Sequence, residues 1–170
     1  MKQLIFVVET NHKNQSDDRY IKRLITKRYD LSSNEIKMQF AHMCGKTNYN
    51  KPSVITQINK YLRENKDGEN RIIYCFDTDR IDCEQEDVKK FKEEKTYCKN
   101  NGYDLIWFDY NIEYVLLGRN VESNKKKEES IKFYNEPKKV IPEKKLFCKN
   151  EEQKGYSNIY LVLDKLLPKK

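Results

Sequence analysis

The sequence predicts an α/β fold: a doubly wound, mostly parallel sheet followed by a helical, basic C-terminal extension. Three observations predict it. Short apolar runs alternate along the chain with runs of helical spacing, and the connections between them are short. Acidic residues stand directly after two of the apolar runs, as they do at the carboxyl edge of a parallel sheet. The excess of positive charge is concentrated in residues 119–170.

The first part of the chain contains two strand and helix pairs. Residues 4–8 are an apolar run typical of a buried strand, and apolar residues follow at helical spacing over 20–29, behind two aspartates that favour a helix start. Residues 36–40 alternate apolar and polar, as a half-buried strand does. Ser53 predicts the cap of a second helix, whose inner face lies within residues 54–62.

A third pair and a further strand complete the predicted core. Residues 71–76 are an apolar strand, and Asp82 with Gln85 predicts a capping box for a long helix that Gly102 ends. The strand 103–108 follows at once. Such alternation implies right-handed crossovers and helices on both faces of the sheet. The expected core positions of the long helix are Val88, Phe91, Lys95 and Cys98.

Beyond residue 111 the chain becomes more basic and less regular. We expect a short apolar helix, a Lys-rich helix with an apolar side at Ile131, Phe133 and Tyr134, an exposed loop, and a last helix that docks on the body. In chain order these segments are residues 112–117, 123–134, 135–155 and 156–167.

The division between the two parts falls after Gly118. Residues 1–118 form the predicted α/β core, and residues 119–170 form an extension packed on it. The extension holds 14 Lys and Arg against 8 Asp and Glu, so most of the net charge of +7 belongs to it. A basic segment is typical of proteins that bind polyanions, and it is equally a common means of keeping a protein in solution.

Composition argues against several classes of protein. No stretch approaches the roughly 20 consecutive apolar residues that a membrane span requires, and Glu9 stands where a signal peptide would place a small residue before its cleavage site. We therefore expect a cytoplasmic protein with no membrane partner. The five cysteines are an odd number without a CxxC spacing, which argues against a disulfide framework and a zinc site.

Three acids follow the predicted strands and are the candidate site. Glu9 ends the first strand, and Asp77 and Asp79 follow the third with one residue between them, so their side chains should point the same way on an extended chain. Carboxylates at one sheet edge suit Mg²⁺ or Mn²⁺, which take oxygen ligands. The spacing alone also fits a polar turn, with Asp79 capping the next segment.

Together with two further segments, these acids resemble a known family. The Glu after the first strand and the D-x-D after the third are similar to the marks of Toprim domains. Residues 76–80 and 111–117 resemble the "fDvDr" and "NPcFElWlLL" motifs of small RloB-like Toprim proteins, which are associated with restriction and phage defence. The resemblance covers residues 3–118. It departs from the family in the loop after Glu9, which lacks the expected glycine, and at Asn111, which lacks the following Pro and Phe.

The resemblance implies a function for each matched residue. Glu9, Asp77 and Asp79 would be metal ligands and catalytic residues, with Glu9 a ligand or the acid/base group, and Glu113 would point into the same cleft. Glu113 is also explained as an acid favoured at a helix start by the dipole. The residues we expect to contact nucleic acid are Arg80, His12, Lys125, Lys126 and Lys127. Arg80 is equally explained by a surface ion pair, and His12 by an exposed loop position without a function.

Two function classes follow. The first is a Mg²⁺-dependent nuclease of Toprim type that hydrolyses phosphodiester bonds in nucleic acid, with a Lys-rich extension that binds the backbone in a salt-dependent way. RNA is slightly favoured over DNA because the chain offers little surface for a duplex. The second is a non-catalytic Toprim-like module that binds nucleic acid or a protein, for which the altered loop after Glu9 is the main support. A protein partner or a homodimer is left open.

Overall fold

Four β-strands and six α-helices make up the computed structural model of the chain, which describes residues 1–31, 35–136 and 141–170. The strands are β1 (Lys2–Val8), β2 (Ile36–His42), β3 (Glu69–Asp77) and β4 (Asp104–Phe108). The helices are α1 (Ser16–Arg28), α2 (Pro52–Glu64), α3 (Gln85–Asn101), α4 (Ile112–Leu117), α5 (Lys126–Asn135) and α6 (Ile159–Leu163), and two short 3₁₀ helices cover Lys46–Asn48 and Glu143–Leu146.

The four strands form one sheet in the order β2-β1-β3-β4, and every neighbouring pair is parallel. Phe6 of β1 lies opposite Phe40 of β2 and Ile73 of β3, so β1 is an inner strand. The α/β prediction with a parallel sheet is therefore confirmed. Because all four strands run the same way, the carboxyl ends of β1 and β3 lie at one edge of the sheet, next to each other.

Helices cover both faces of the sheet, and the alternation of side chains along β1 sorts the core into two layers. Leu4, Phe6 and Val8 pack with α1, α4, α5 and α6 in one buried cluster. Ile5 and Val7 pack with α2 and α3 in the other. All five of these β1 side chains are completely buried, which explains why the strand reads as a continuous apolar run.

The extension packs on the face of the sheet that α1 covers. The ring of Phe133 in α5 meets the ring of Tyr20 in α1 edge to face, with 5.1 Å between centroids. Farther along, Ser157 makes an antiparallel bridge to Phe108, beside the end of β4. The extension thus contributes side chains to the same core as the sheet.

The apolar side predicted for α5 is wrong at two of its three positions. Phe133 is buried, but Ile131 and Tyr134 are 40% and 41% exposed. Ser130 and Phe133, three residues apart, form the buried side instead, because that side faces α1, where Arg19 donates to the hydroxyl of Ser130 at 3.4 Å. The helix is therefore rotated relative to the prediction.

Two other expectations for the extension need correction. The last helix is much shorter than the predicted 156–167, since α6 ends at Leu163 and Leu166 and Leu167 are buried from the turns after it. Within the predicted loop 135–155, Leu146 and Cys148 are buried rather than exposed. Residues 137–140 of that loop lie outside the described part of the chain.

The predicted helix starts are only partly right. Neither Ser53 nor Asp82 caps its helix: α2 begins at Pro52, which already fixes the backbone for a first helical position, and Asp82 forms an ion pair with Lys154 at 2.9 Å. Gly102 does end α3, as predicted, and it has the left-handed conformation that is typical of a glycine after a helix. The buried side of α3 is formed by Phe91, Glu94 and Cys98. The prediction that Val88 and Lys95 are core residues is therefore wrong.

None of the helices in the described part of the chain has both the length and the apolar character needed to cross a membrane.

Candidate functional site

The acids that end β1 and β3 meet at the carboxyl edge of the sheet. Because the two strands are neighbours and parallel, Glu9 follows β1 beside the end of β3, and its Oε1 accepts a hydrogen bond from the backbone N–H of Asp77 at 2.9 Å. The side chain of Asp77 in turn contacts the start of α4, where its Oδ1 accepts a hydrogen bond from the backbone N–H of Ile112 at 3.1 Å. Two of the three predicted ligands thus lie together.

Glu113 enters the site through the start of α4. The side chain of Asn111 caps this helix by accepting from the N–H of Tyr114 at 2.8 Å, and Asp77 holds the N–H of Ile112. Glu113 stands in the first turn that these bonds fix, and it is completely buried. Its Oε1 has no hydrogen-bond partner in the described structure. A buried carboxylate oxygen without a donor is costly unless a cation or proton serves it.

Asp79 lies at the same edge but faces a different partner. Its backbone is left-handed, with φ of 56°, and its N–H donates to the carbonyl oxygen of Tyr110 at 3.0 Å. The ammonium group of Lys46 contacts Asp79 Oδ2 at 3.0 Å and also donates to the carbonyl oxygen of Asp77. Lys46 lies 3.8 Å from Glu94 Oε2, so it bridges the turn after β3 and helix α3.

Asp17 completes the group of acids from the first turn of α1. It is buried, and its Oδ2 accepts from the backbone N–H of Thr10 at 3.3 Å, which holds the loop after Glu9 against the helix. The electrostatic effect of Asp17 reaches both Glu9 and Asp77. We call Glu9, Asp17, Asp77, Asp79 and Glu113 the acidic cluster.

The second cation at the cluster comes from the extension. Lys126, the first residue of α5, contacts Glu113 Oε2 at 3.3 Å, and its side chain is 27% exposed. It was predicted among the lysines that bind nucleic acid, but its ammonium group turns inward. Lys125 and Lys127 are exposed on either side of it, and Lys125 pairs with Glu122 at 2.9 Å.

The carboxyl groups of the cluster are hard to ionise together. Burial raises the pKa of Glu9 to about 8, and the charges of Asp17 and Asp79 add to the shift while Lys46 opposes it. Burial likewise raises the pKa of Asp77 well above its usual value, with Glu9 and Asp17 adding to the effect. Burial and then Glu113 raise the pKa of Asp17 to about 6. The cluster lacks the positive charge that would keep all its members ionised near neutral pH.

The two lysines respond in the opposite sense. Burial alone would lower the pKa of Lys126, but the charges of Glu113, Asp77 and Asp17 together raise it above its usual value. The same balance holds for Lys46, where burial is outweighed by Glu94, Glu9 and Asp79. Both ammonium groups therefore remain charged at neutral pH and act as the counter-charges of the cluster.

The other residues that were predicted to contact nucleic acid lie outside the acidic cluster. Arg80 follows Asp79 directly, is exposed, and pairs with Glu84 at 3.4 Å, so it stands beside the site at the surface. His12 is exposed in the loop after Glu9, and its ring lies 4.2 Å from that of His42 between centroids. His42 is buried and contacts Asp18 through Nε2 at 3.1 Å.

The cluster has the right ligand chemistry for Mg²⁺ but is not arranged around one. Carboxylate oxygens are the ligands this ion prefers, and Glu113 Oε1 and the hydroxyl of Thr10 are buried without partners. Yet in the described parts of the chain no group of three or more His, Cys, Asp or Glu side chains is placed to hold a metal ion. Lys46 and Lys126 stand where positive charge is needed.

Sequence reasoning missed Asp17, Lys46 and Glu94. Asp17 was interpreted only as an acid that favours a helix start, which it also is. Glu94 could have been found from the spacing of Phe91 and Cys98, since position 94 is on the same side of a helix as both. Lys46 has no signal in the sequence, because its position depends on how the loop after β2 folds over the end of β3.

No family model, no curated protein and no solved structure matches this chain. A functional proposal therefore depends on the fold and on the geometry of this edge of the sheet.

Proposed function

We propose that this protein is a Mg²⁺- or Mn²⁺-dependent nuclease that hydrolyses phosphodiester bonds in nucleic acid at the acidic cluster. The observation that supports it is the convergence of carboxyl groups from the ends of β1 and β3 and from α1 and α4 on one edge of a parallel sheet, where burial and neighbouring charges raise the pKa values of Glu9, Asp77 and Asp17. Such a group is stabilised by a divalent cation. The resemblance to small RloB-like Toprim proteins supports the same proposal.

The proposed residue functions follow from position. Asp77, Asp79 and Glu9 would hold the ion, which when bound neutralises charge on the phosphate and orients a water molecule. Alternatively, Glu9 is the acid/base group instead of a ligand: with a pKa of about 8 in the metal-free protein it keeps a proton near neutral pH and is suited to protonate a leaving oxygen. Glu113 would support the cluster from α4. The chemistry of the site thus depends on acids from both sides of the β1 and β3 pair.

Substrate contacts in this proposal come from the exposed cations. Arg80 would contact a phosphate flanking the scissile bond, because it follows Asp79 and is exposed. His12, Lys125 and Lys127 would contact the backbone farther away. RNA is the favoured polymer and a cytoplasmic location is part of the proposal, as is a place in phage defence.

The test is cleavage of labelled single-stranded and structured RNA and DNA with Mg²⁺, Mn²⁺ or EDTA. We expect metal-dependent cutting, and a loss of about a hundredfold or more in Glu9→Gln and Asp77→Asn, since each replaces a carboxyl group that would bind the ion or transfer a proton with an amide that can do neither. Asp82→Asn is the matched control, because Asp82 is paired with Lys154 outside the cluster. Cutting that survives EDTA, or that Asp77→Asn leaves intact, would contradict the proposal.

The second candidate is a non-catalytic Toprim-like module that binds nucleic acid or a partner protein. The contacts of Lys46 with Asp79 and of Lys126 with Glu113 favour it, because internal ammonium groups can replace a metal ion as the counter-charge of a structural site. In this case the wild-type protein would bind nucleic acid without cutting it under any metal condition, and Asp77→Asn would leave binding unchanged.

A further inference from the structure

We propose that a cleft beside the turn after β3 binds one nucleotide of a single-stranded nucleic acid, with the base against Tyr110 and Tyr114 and a phosphate on Arg80. This inference rests on the proposed function for its class of ligand, and it deepens that function by selecting single strands over duplexes. The contact is made by side chains alone and requires no metal ion.

The cleft lies at the carboxyl edge of the sheet, next to the acidic cluster. The two are joined where the backbone N–H of Asp79 donates to the carbonyl oxygen of Tyr110 at 3.0 Å. The cleft has a volume of about 510 Å³, which is within the range of clefts that hold a small ligand. Among the residues that line it are Arg80, Asp82, Tyr110, Tyr114, Asn120 and Lys154.

The aromatic wall of the cleft is held in place by the backbone. Tyr110 has a left-handed backbone, with φ of 64°, which is unusual for a bulky residue and is found most often at functional sites. Its N–H donates to the hydroxyl of Thr78 at 3.0 Å. Its ring contacts the ring of Tyr114, with 5.6 Å between centroids, and both residues are half-buried. An aromatic surface is therefore fixed at the cleft and open to a ligand.

Two cations stand at the same cleft in ion pairs that a phosphate can replace. The side chain of Arg80 is 57% exposed and pairs with Glu84 at 3.4 Å, and that of Lys154 is 73% exposed and pairs with Asp82 at 2.9 Å. Exposed pairs of this kind contribute little free energy. A guanidinium binds phosphate through two parallel hydrogen bonds, so exchange of Glu84 for a phosphate is favourable.

The buried acid of the cleft positions Lys154. Asp109 is 5% exposed, and its Oδ2 accepts from the backbone N–H of Gly155 at 2.6 Å. The N–H of Asp109 donates to the carbonyl oxygen of Tyr156 at 2.9 Å. These two bonds fix the extension to the end of β4, and they place Lys154, the residue before Gly155, at the rim of the cleft.

The groups at the cleft match the parts of a nucleotide. Tyrosine rings stack on a base, a guanidinium binds the phosphate, and the exposed amide of Asn120 can donate to and accept from the edge of a base. A base in a duplex is stacked on both faces and paired at its edge. Only a single strand presents a base to such a cleft without the free-energy cost of unstacking.

The test is fluorescence anisotropy in EDTA, with a labelled single-stranded RNA of about ten nucleotides and the same RNA annealed to its complement. We expect the wild type to bind the single strand more tightly than the duplex. Tyr110→Ala and Tyr114→Ala should bind the single strand about tenfold more weakly, because stacking on a ring is lost. Tyr110→Phe keeps the ring and should bind like the wild type. Tyr134→Ala is the matched control, since Tyr134 is 41% exposed on α5, outside the cleft.

Arg80→Gln tests the phosphate contact. The loss of one contact should lower the slope of log affinity against log salt concentration by about 0.7. Arg63→Gln is the control, because Arg63 is exposed in the last turn of α2, at the opposite edge of the sheet. Its slope should equal that of the wild type. Equal slopes for Arg80→Gln and the wild type would overturn the assignment of the phosphate to Arg80.

The outcomes separate this inference from the proposed function. If the wild type binds the single strand and both tyrosine variants bind it equally well, the cleft assignment is refuted. The same holds if Tyr134→Ala weakens binding as much as they do, or if the duplex binds at least as tightly as the single strand. If the wild type binds neither RNA, this inference also fails. In each case the cleavage test with Mg²⁺ decides the nuclease proposal separately.

A second measurement uses the wild-type protein alone, in case the alanine variants do not fold. A single-stranded RNA that contains 4-thiouridine is crosslinked to the protein by light in EDTA, and the crosslinked residues are identified by mass spectrometry. We expect crosslinks at Tyr110 or Tyr114. Crosslinks confined to α5, where Lys125 and Lys127 are exposed, would overturn the inference.

Discussion

At the scale of single residues, the carboxyl groups at the carboxyl edge of the sheet outnumber the ammonium groups that neutralise them. Glu94 of α3 shows this outside the acidic cluster itself. It is buried, lies 3.8 Å from Lys46, and its Oε2 has no hydrogen-bond partner. Burial raises the pKa of Glu94 to about 8, although Lys46 opposes the shift. The carboxylate form of this residue therefore destabilises the metal-free fold.

This leads to a prediction for Glu94→Gln. A folded-state pKa above the unfolded value of 4.5 means that Glu94 costs no stability below about pH 4.5 and an increasing amount as the pH rises to 8. Between pH 5 and pH 8.5 in EDTA, we expect the wild type to lose about 4 kcal/mol relative to the variant. Urea unfolding at the two pH values measures the difference.

Glu93→Gln is the control for that experiment, because Glu93 is the exposed neighbour of Glu94 on the same helix. Its free energy of unfolding should follow that of the wild type at both pH values. If the free energy of unfolding of Glu94→Gln also follows that of the wild type, a partner stabilises the ionised carboxyl group of Glu94. Its ionisation at high pH then does not destabilise the fold.

The residue types at the site could be predicted from the sequence, but their partners could not. Glu9 and Asp77 end strands, so their meeting at one edge follows from parallel pairing of β1 and β3. The contacts of Lys46 and Lys126 depend on how a loop and a distant helix fold over that edge. A lysine in a Lys-rich run looks the same in sequence whether it faces solvent, as Lys125 does, or a buried carboxylate.

At the scale of secondary structure elements, strands were predicted better than helix ends. β1, β3 and β4 contain apolar runs that a parallel sheet buries on both faces, and β2 alternates apolar and polar residues as a partly buried edge strand does, so the positions of all four are visible in the sequence. Helix starts depend on the local backbone: Pro52 begins α2 although Ser53 has the better capping side chain. The orientation of α5 about its own axis depends on which of its sides packs against α1. Residues 126–135 carry apolar side chains on both sides of the helix.

The rotation of α5 yields a prediction. Phe133 is 4% exposed and packs against Tyr20, so Phe133→Ala should lower the free energy of unfolding by about 3 kcal/mol through the cavity it leaves. Tyr134→Ala is the control, because Tyr134 is 41% exposed and should cost less than about 1 kcal/mol. Chemical denaturation of both variants measures the difference. Similar losses would show that α5 is not held through Phe133.

At the scale of the whole molecule, the extension is tied to the first helix at a second place, far along the chain from α5. Tyr29, just after α1, forms an antiparallel bridge with Lys169. Beside it, Arg28 binds Asp164 through two nitrogens at 3.0 and 3.1 Å, and the hydroxyl of Tyr29 donates to Asp164 at 2.7 Å. The extension therefore closes onto the core at both ends of α1.

Asp164 accepts the hydrogen bonds that join the extension to the end of α1, so its replacement should lower the free energy of unfolding of the whole protein. Burial alone would raise the pKa of Asp164, but hydrogen bonds from Arg28, Lys169 and Tyr29 outweigh it and lower the pKa to about 2. A folded-state pKa below the unfolded value of 3.8 stabilises the protein above about pH 4, and this contribution is lost as the pH falls toward 2. Asp164→Asn should therefore cost about 2 kcal/mol at pH 7.

The control for Asp164→Asn is Glu143→Gln, since Glu143 pairs with the same guanidinium at 3.0 Å but is 67% exposed. An exposed pair contributes at most about 1 kcal/mol, so this variant should unfold close to the wild type. Unfolding free energies between pH 7 and pH 2.5 should show the gap between the wild type and Asp164→Asn closing below pH 4. A gap at pH 2.5 as large as at pH 7, or equal losses in the two variants, would mean that packing around Arg28, rather than the charge of Asp164, holds the extension on the core.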